Sequence, residues 1–523
     1  MKKILFISVI IIRIVFLPVL KPEVMAADLI QDDAGIQTIY QDGKIPHLSD
    51  EGKIIDKYGS NSIFVKGIYN ADLGPYGSDW SKYNLNSTLS RDTLQPIKEA
   101  GFNVVIPGHT DGFNTQDLDR VQQFGLKMPA IAYSAVVAMH SSPAGSYHWP
   151  ILEASISAVM NHPALFGYYL YDESPNGTQY AWRMIYNRIK AMDPKHIQFP
   201  LSALDFVPKD NLVTTDCMRD NVDYRPLSDV FVTDIYTIHT NTKSLLELTR
   251  DIDAAVRSCQ RKTDGSLRPF ILVYPAYQRY TVHSGNPDID EILPTENQLR
   301  GQIYASIIHG AVGTFVYTMH SPWQWERAYN TTYNDKGVFM NGISPEMTPD
   351  LWNAVSKANR EINTYMDVIL AKTATDTYHV SHTQTGISEH PLHAILKDTG
   401  EKDVRYLLAI NIDGASLSGQ FKFEKEILEV KSFLDNRTLA FNGHSFTDPF
   451  GENGVRLYRI VFNNTYSCQT KSIGDANCDG KINEADYGIW KEEMKNMTSL
   501  YADFNSDGKV NLVDFEIWRR NKG

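Results

Sequence analysis

Cysteine is scarce in this chain and is not arranged in ligand pairs. Four cysteines stand in 523 residues: Cys217, Cys259, Cys468 and Cys478. That is too few for a disulfide framework, and without a C-x-x-C pair nothing points to zinc. Bridges Cys217–Cys259 and Cys468–Cys478 are open to an exported chain, with free thiols as the equal alternative. Basic charge is also in deficit, 50 Lys and Arg against 62 Asp and Glu, for a net −12. An acidic chain argues against nucleic acid and anionic membranes as partners, since both select basic surfaces. Beyond the N-terminus no apolar run is long enough to span a bilayer. No glycine-rich phosphate loop follows the first strand-like segment, which weighs against a doubly wound nucleotide-binding sheet.

What is present begins with "MKKILFISVIIIRIVFLPVLKPEVMAA". Two lysines, an apolar run and small residues read as a secretory signal over 1–26, cleaved near Ala26 or Ala27. Arg13 interrupts the run, so an uncleaved anchor is the alternative. Cleavage would remove four basic residues and one acidic one, taking the net charge from −12 to −15. Residues 27–62 read as an N-terminal extension. The expected address is extracellular, secreted or within a cell-surface complex, with no membrane span left after cleavage.

The other end carries two matching loops, "DANCDGKINEAD" at 475–486 and "DFNSDGKVNLVD" at 503–514. Oxygen-bearing side chains recur at positions 1, 3, 5, 9 and 12. They are Asp475, Asn477, Asp479, Asn483 and Asp486, then Asp503, Asn505, Asp507, Asn511 and Asp514. Glycine holds position 6, where the turn needs free φ. Lys481 and Lys509 at position 7 would offer backbone carbonyls. Hard oxygens at this spacing are the ligand set of a calcium loop. Asx-rich surface turns are the bland alternative, and two loops in one register argue against it. Two calcium ions are therefore expected.

Each loop runs into a short apolar segment of the same spacing, "DYGIW" and "DFEIW". This duplicated unit, over 474–523, resembles a dockerin, the module that attaches secreted enzymes to a cohesin-bearing scaffold protein. The resemblance implies cohesin as partner. Positions 10 and 11, which in dockerins often set cohesin choice, are Glu484–Ala485 in one loop and Leu512–Val513 in the other. The mismatch puts symmetric dual-mode binding in doubt.

Between the ends, apolar β-prone runs alternate with segments of helical spacing from 63 to 370. The runs are "IFVKGIY", "NVVIPGH", "KMPAIAY", "FGYYLYD", "QFPLSAL", "DVFVTDIY", "FILVYPAY" and "GTFVYTM". Eight strands with intervening helices predict an α/β fold, a (β/α)8 TIM barrel. Residues 371–465 change to short alternating runs and predict an antiparallel β-sandwich. Residues 466–473 read as a linker into the small α-helical calcium module.

Active sites of such barrels sit at the C-terminal strand ends. There the sequence offers His109 with Asp111 (strand two), Tyr133 (three), Asp172 and Glu173 (four), and Asp234 and Tyr236 (six). Strand seven brings Tyr274, Tyr277 and Gln278, and strand eight brings Tyr317, His320, Trp323, Trp325 and Glu326. Aromatic faces and carboxylates suit a carbohydrate substrate, because sugar rings present C–H faces and hydroxyl edges. Singly, each residue could equally be a barrel cap, packing or a solvated rim. The reading rests on their convergence.

The body resembles the (β/α)8 glycoside hydrolases, secreted members with a "DEP"-like motif after strand four and a trailing β-sandwich. "NHPALFGYYLYDESP" and "IIHGAVGTFVYT" carry the likeness. It implies a glycosidase hydrolysing O-glycosyl bonds, with Glu173 as general acid/base. The departure is on strand seven, where "FILVYPAYQ" lacks the nucleophilic glutamate of the largest clan. Asp234, Glu326, or a substrate-assisted hexosaminidase mechanism using Asp172–Glu173 are the substitutes, with Asp234 preferred. A barrel that has lost its nucleophile and serves as a non-catalytic carbohydrate-binding or scaffold component is the rival from another class.

Overall fold

The computed structural model describes residues 63–71, 93–107, 113, 115–141, 148–172, 179–203, 207–209, 212–214, 228–238, 244–256, 268–283, 286–320, 336–383, 390–463, 473–477, 481–496, 501–505 and 507–522. The expected signal segment 1–26, the extension 27–62 and all four cysteines lie outside them, as does nearly all of the expected linker.

Eight short strands form one parallel sheet: β1 Val65–Ala71, β2 Val104–Pro107, β3 Met128–Ile131, β4 Leu165–Asp172, β5 Ile197–Ala203, β6 Phe231–Asp234, β7 Phe270–Pro275 and β8 Gly313–Tyr317. Their order is β2-β1-β8-β7-β6-β5-β4-β3. The two ends then meet. Val104 bridges Lys127 in parallel, with Val105 N–H to Lys127 O at 2.9 Å and Lys127 N–H to Asn103 O at 3.0 Å. The sheet is a closed barrel, as the eight apolar runs predict.

Side chains alternate across each strand. Val65, Tyr69, Val104, Ile106, Phe199, Val232, Ile271, Val273 and Phe315 share one interior core. Glycine makes room for the largest of them. A Cβ on Gly67 would lie 2.0 Å from the Phe315 ring, and one on Gly313 would lie 2.6 Å from Val65 Cβ. Phe315 is fully buried, a gain of roughly 1.5–3 kcal/mol over exposure.

Helices α1 Leu94–Glu99, α2 Thr115–Gln123, α3 Tyr133–Ser141, α4 Trp149–Val159, α5 Gln179–Met192, α6 Leu246–Ala255, α7 Glu296–Ile308 and α8 Pro349–Thr364 accompany the strands. Local chemistry fixes their ends. Thr295 caps α7 in a reciprocal capping box with Gln298, satisfying two backbone N–H groups that would otherwise lack partners. Pro349 opens α8, at a position where the missing N–H costs no helical hydrogen bond. Glu361 of α8 accepts from Arg300 Nη2 and Tyr304 Oη of α7, each at 2.7 Å.

The region after the barrel forms two antiparallel sheets of six and four strands. The named strands are β9 Tyr378–His382, β10 Leu392–Asp398, β11 Val404–Asn411, β12 Leu417–Phe423, β13 Ile427–Ser432, β14 Ser445–Phe450 and β15 Val455–Phe462. Barrel and sandwich residues bond directly. Leu245 N–H reaches Ile412 O at 2.7 Å, and Tyr365 stacks on Phe433 at 5.5 Å. A buried chain of polar side chains links them too: Asp253 Oδ1 to His309 Nδ1 at 2.5 Å, and His309 Nε2 to His393 Nδ1 at 2.7 Å.

Among the described residues the C-terminal module has two helices, α9 Glu484–Asn496 and α10 Leu512–Asn521. Its own core comprises Ala476, Trp490, Ala502, Phe504 and Trp518, with Tyr487 and Phe515 against them.

Candidate active site and calcium loops

At the C-terminal mouth of the barrel stand Tyr69 from β1, Tyr169 from β4, Tyr236 just past β6, Tyr277 just past β7 and Tyr317 from β8. Tyr236 and Tyr317 stack with ring centroids 5.8 Å apart. Tyr277 stands edge-on to both, at 5.6 and 5.5 Å, and Tyr69 is edge-on to Tyr317 at 5.7 Å. Beside them the Tyr69 hydroxyl donates to Tyr169 Oη at 3.3 Å.

Two carboxylates act on that hydroxyl pair. Burial pushes both tyrosines well above the ordinary phenol range, and the charge of Asp172, then that of Asp234, pushes them further. Both hydroxyls therefore stay protonated, as neutral donors. Asp234 ends β6 and is 7 % exposed. Asp172 ends β4 and is exposed, beyond a break in register between Tyr169 and Asp172. These two predicted site residues, from strands separated by β5, thus influence the same tyrosine pair.

Other predicted residues fare differently. Strand three stops at Ile131, and Tyr133 opens α3 instead of closing a strand. Tyr274 is 1 % exposed and follows the interior Val273, so its side chain points away from the barrel interior. Tyr277 takes the place at the mouth. Gln278 lies in a strand of its own, Tyr277–His283, paired antiparallel with Lys336–Gly342. His320 Nδ1 accepts the Gly342 N–H at 3.2 Å, and burial lowers the imidazole to about 4. It is neutral, and that nitrogen anchors the added strand. His109, Asp111, Glu173, Trp323, Trp325 and Glu326 lie outside the described residues, as does the Tyr133 side chain.

Sequence reading misses Tyr69 and Tyr169. A signal for the first is available, since Val65, Gly67 and Tyr69 share a parity with the interior. Tyr169 is obscured by the aromatic run "YYLY", in which parity alone cannot choose the inward ring.

The two loops of the C-terminal module are built alike. Asp486 accepts N–H bonds from Ala476 at 2.8 Å, Asn477 at 3.1 Å and Asn483 at 2.8 Å. Asp514 accepts from Phe504 at 2.8 Å, Asn505 at 3.4 Å and Asn511 at 2.9 Å. In the second loop Asp503 Oδ1 and Asn505 Oδ1 both accept the Asp507 N–H, each at 3.1 Å. The side-chain oxygens of positions 1 and 3 thus converge on one backbone point, as a wrapped cation requires. A carboxylate offers about four lone-pair sites, so the three N–H bonds at position 12 leave one toward an ion. The donor set is all hard oxygen and suits calcium. Asp479 lies outside the described residues.

Residues 473–521 match the family model described as Dockerin type I domain. The C-terminal module is a type I dockerin. It is a calcium-binding module, and Asp475, Asn477, Asn483, Asp486, Asp503, Asn505, Asp507, Asn511 and Asp514, with the Lys481 and Lys509 carbonyls, are the described groups that would hold the ion. No curated protein matches the chain. Among solved structures it is similar to a glycoside hydrolase family 5 protein from Bacteroides vulgatus, at 15% identity and TM-score 0.46, covering 80% of this chain and 95% of that one. It is also similar to the endo-beta-1,4-mannanase from Thermotoga petrophila, at 10% identity and TM-score 0.38, covering 76% of this chain and 98% of that one. An alpha-amylase from Geobacillus thermoleovorans, complexed with acarbose, is similar at 9% identity and TM-score 0.46, covering 76% and 99%. Among the described residues no helix is long and apolar enough to cross a membrane.

Proposed function

We propose that the chain is an extracellular glycoside hydrolase that joins a polysaccharide-degrading complex through its dockerin, which takes two calcium ions and binds a cohesin-bearing scaffold protein. The observation that carries the catalytic reading is the cluster of Tyr69, Tyr169, Tyr236, Tyr277 and Tyr317 at the mouth of a closed barrel, where β4 and β6 end in Asp172 and Asp234. Stacked Tyr236 and Tyr317 supply an aromatic face for a sugar ring. The Tyr169 hydroxyl, which accepts from Tyr69, keeps its own proton at any ordinary pH.

In this reading Glu173, next in sequence to Asp172, protonates the departing glycosidic oxygen. Asp234 meets the positive charge developing at the anomeric carbon. It either attacks that carbon, or takes a proton from the water that does, according to the spacing of the two carboxyls. A second reading rests on Asp172 and Glu173 standing side by side in the sequence where β4 ends. There the substrate's own 2-acetamido oxygen attacks, Asp172 orients the amide nitrogen, and Glu173 remains the acid.

The test is hydrolysis of a panel of plain and 2-acetamido aryl glycosides and natural polysaccharides by wild type, Glu173→Gln and Asp234→Ala. General acid catalysis is worth on the order of 10²–10⁴ in rate. Glu173→Gln should lose about that factor on poor leaving groups and keep sugar binding. Asp234→Ala should be equally damaging, with plain glycosides cleaved by wild type. Cleavage of 2-acetamido sugars alone moves the assignment to Asp172. Binding without any hydrolysis by wild type would leave the non-catalytic carbohydrate-binding role.

A further inference from the structure

The dockerin loops do not stand as separate sites. Trp490 of α9, the helix that leaves loop one, donates its indole N–H to the carbonyl of Asn511 at 2.8 Å. Asn511 is position 9 of loop two. Trp518 of α10, the helix that leaves loop two, donates to the carbonyl of Asn483 at 3.0 Å. Asn483 is position 9 of loop one. Each loop thus ends against the other repeat's tryptophan.

Loop two is also held at its entrance. Glu493, on α9 and only 3 % exposed, belongs to neither twelve-residue loop. Its carboxylate accepts the Tyr501 N–H at 3.1 Å and the Ala502 N–H at 2.8 Å, immediately before Asp503. A buried carboxylate is costly unless its hydrogen bonds are met, so this one fixes the chain where the second loop starts. One helix therefore grips both ends of loop two, while loop one is held by α10 at Asn483.

We propose that Trp490, Glu493 and Trp518 are positioning residues of the calcium sites, coupling the two loops so that occupancy of either raises the affinity of the other. The inference rests on the reading of both loops as calcium sites. An ion in loop one orders the start of α9, and with it Trp490 and Glu493, which then set the ends of loop two. Linkage makes the effect reciprocal, and couplings of this kind are typically about 5–150-fold.

The experiment is calorimetric calcium titration of the full chain. The double variant Asp475→Ala/Asp503→Ala supplies the baseline for any calcium bound elsewhere. Disabling loop one with Asp475→Ala should weaken loop two about tenfold or more, and Asp503→Ala should weaken loop one by the same factor. Trp490→Phe and Glu493→Gln should each weaken loop two, and each should do less in the Asp475→Ala background, because the coupling is already lost there. Circular dichroism returning to wild type at saturating calcium would show that these variants still fold. Unchanged loop-two affinity on disabling loop one, or full additivity of Trp490→Phe with Asp475→Ala, overturns the coupling. If wild type binds no calcium above the baseline variant, the loop assignment itself has failed.

Discussion

Gly67 shows how little space a single interior position of the barrel concedes. Its missing side chain is replaced by the ring of Phe315, which a Cβ would meet at 2.0 Å. Overpacking of this kind typically costs about 1–3 kcal/mol. Gly67→Ala should therefore lower the stability of the barrel by that amount, read as a fall in the denaturation midpoint at unchanged slope. An unchanged midpoint would mean that Phe315 does not fill the interior beside Gly67. Asp172 allows a second prediction at this scale, tied to the role proposed for Glu173. A neighbouring negative charge raises the pKa of a carboxylic acid. Asp172→Asn should then lower that of Glu173, and the alkaline limb of the kcat/KM profile, where the acid loses its proton, should move to lower pH. A limb that stays in place, with the rate cut sharply on 2-acetamido sugars alone, would instead assign Asp172 to an acetamido nucleophile.

At the scale of elements, the joint between barrel and sandwich is the place where pH should act. His393 on β10 is buried against His309 at the end of α7, and Asp253 of α6 lies beyond it. Burial first, then the positive charge of His309, lowers His393 to about 3, with Asp253 opposing and His390 contributing. An unfolded histidine binds its proton near 6.5, so the folded chain binds fewer protons between these values. The contribution is fully present above about 6.5 and is lost as pH falls toward 3, at up to about 1.4 kcal/mol per unit. His393→Gln should flatten this acid slope in urea melts at stepped pH. An equally steep slope in the variant would place the acid sensitivity elsewhere. The barrel strands are legible in the sequence because their apolar runs are short and bounded. Strand ends are less so. The run "KMPAIAY" stays apolar to Tyr133, where the backbone already turns helical, so pattern alone carries strand three too far. Tyr274 and Tyr277 follow the same run, yet one sits on the outer parity and the other at the mouth. Tyr69 and Tyr169 escape a sequence reading because their pairing is made across the barrel, from residues a hundred positions apart.

For the whole molecule, the barrel core and the dockerin core should respond differently to calcium. The barrel core is closed by strand pairing and by packing of aliphatic and aromatic side chains. The dockerin core is small, and around it stand clustered carboxylates that repel one another until a cation neutralises them. A ligand that binds only the folded form stabilises it by about 1.4 kcal/mol for each tenfold rise in its concentration above Kd. Thermal unfolding of the full chain should thus show a transition that climbs with calcium and another that does not. Excess chelator should remove helical signal from α9 and α10 and abolish capture by immobilised cohesin. The sugar release proposed for the barrel, assayed below its own melting temperature, should continue at the same rate. Loss of hydrolysis together with loss of capture would contradict this division, because the cation would then be supporting the barrel as well. Unchanged helicity and unchanged capture in chelator would instead remove calcium from the account of the dockerin.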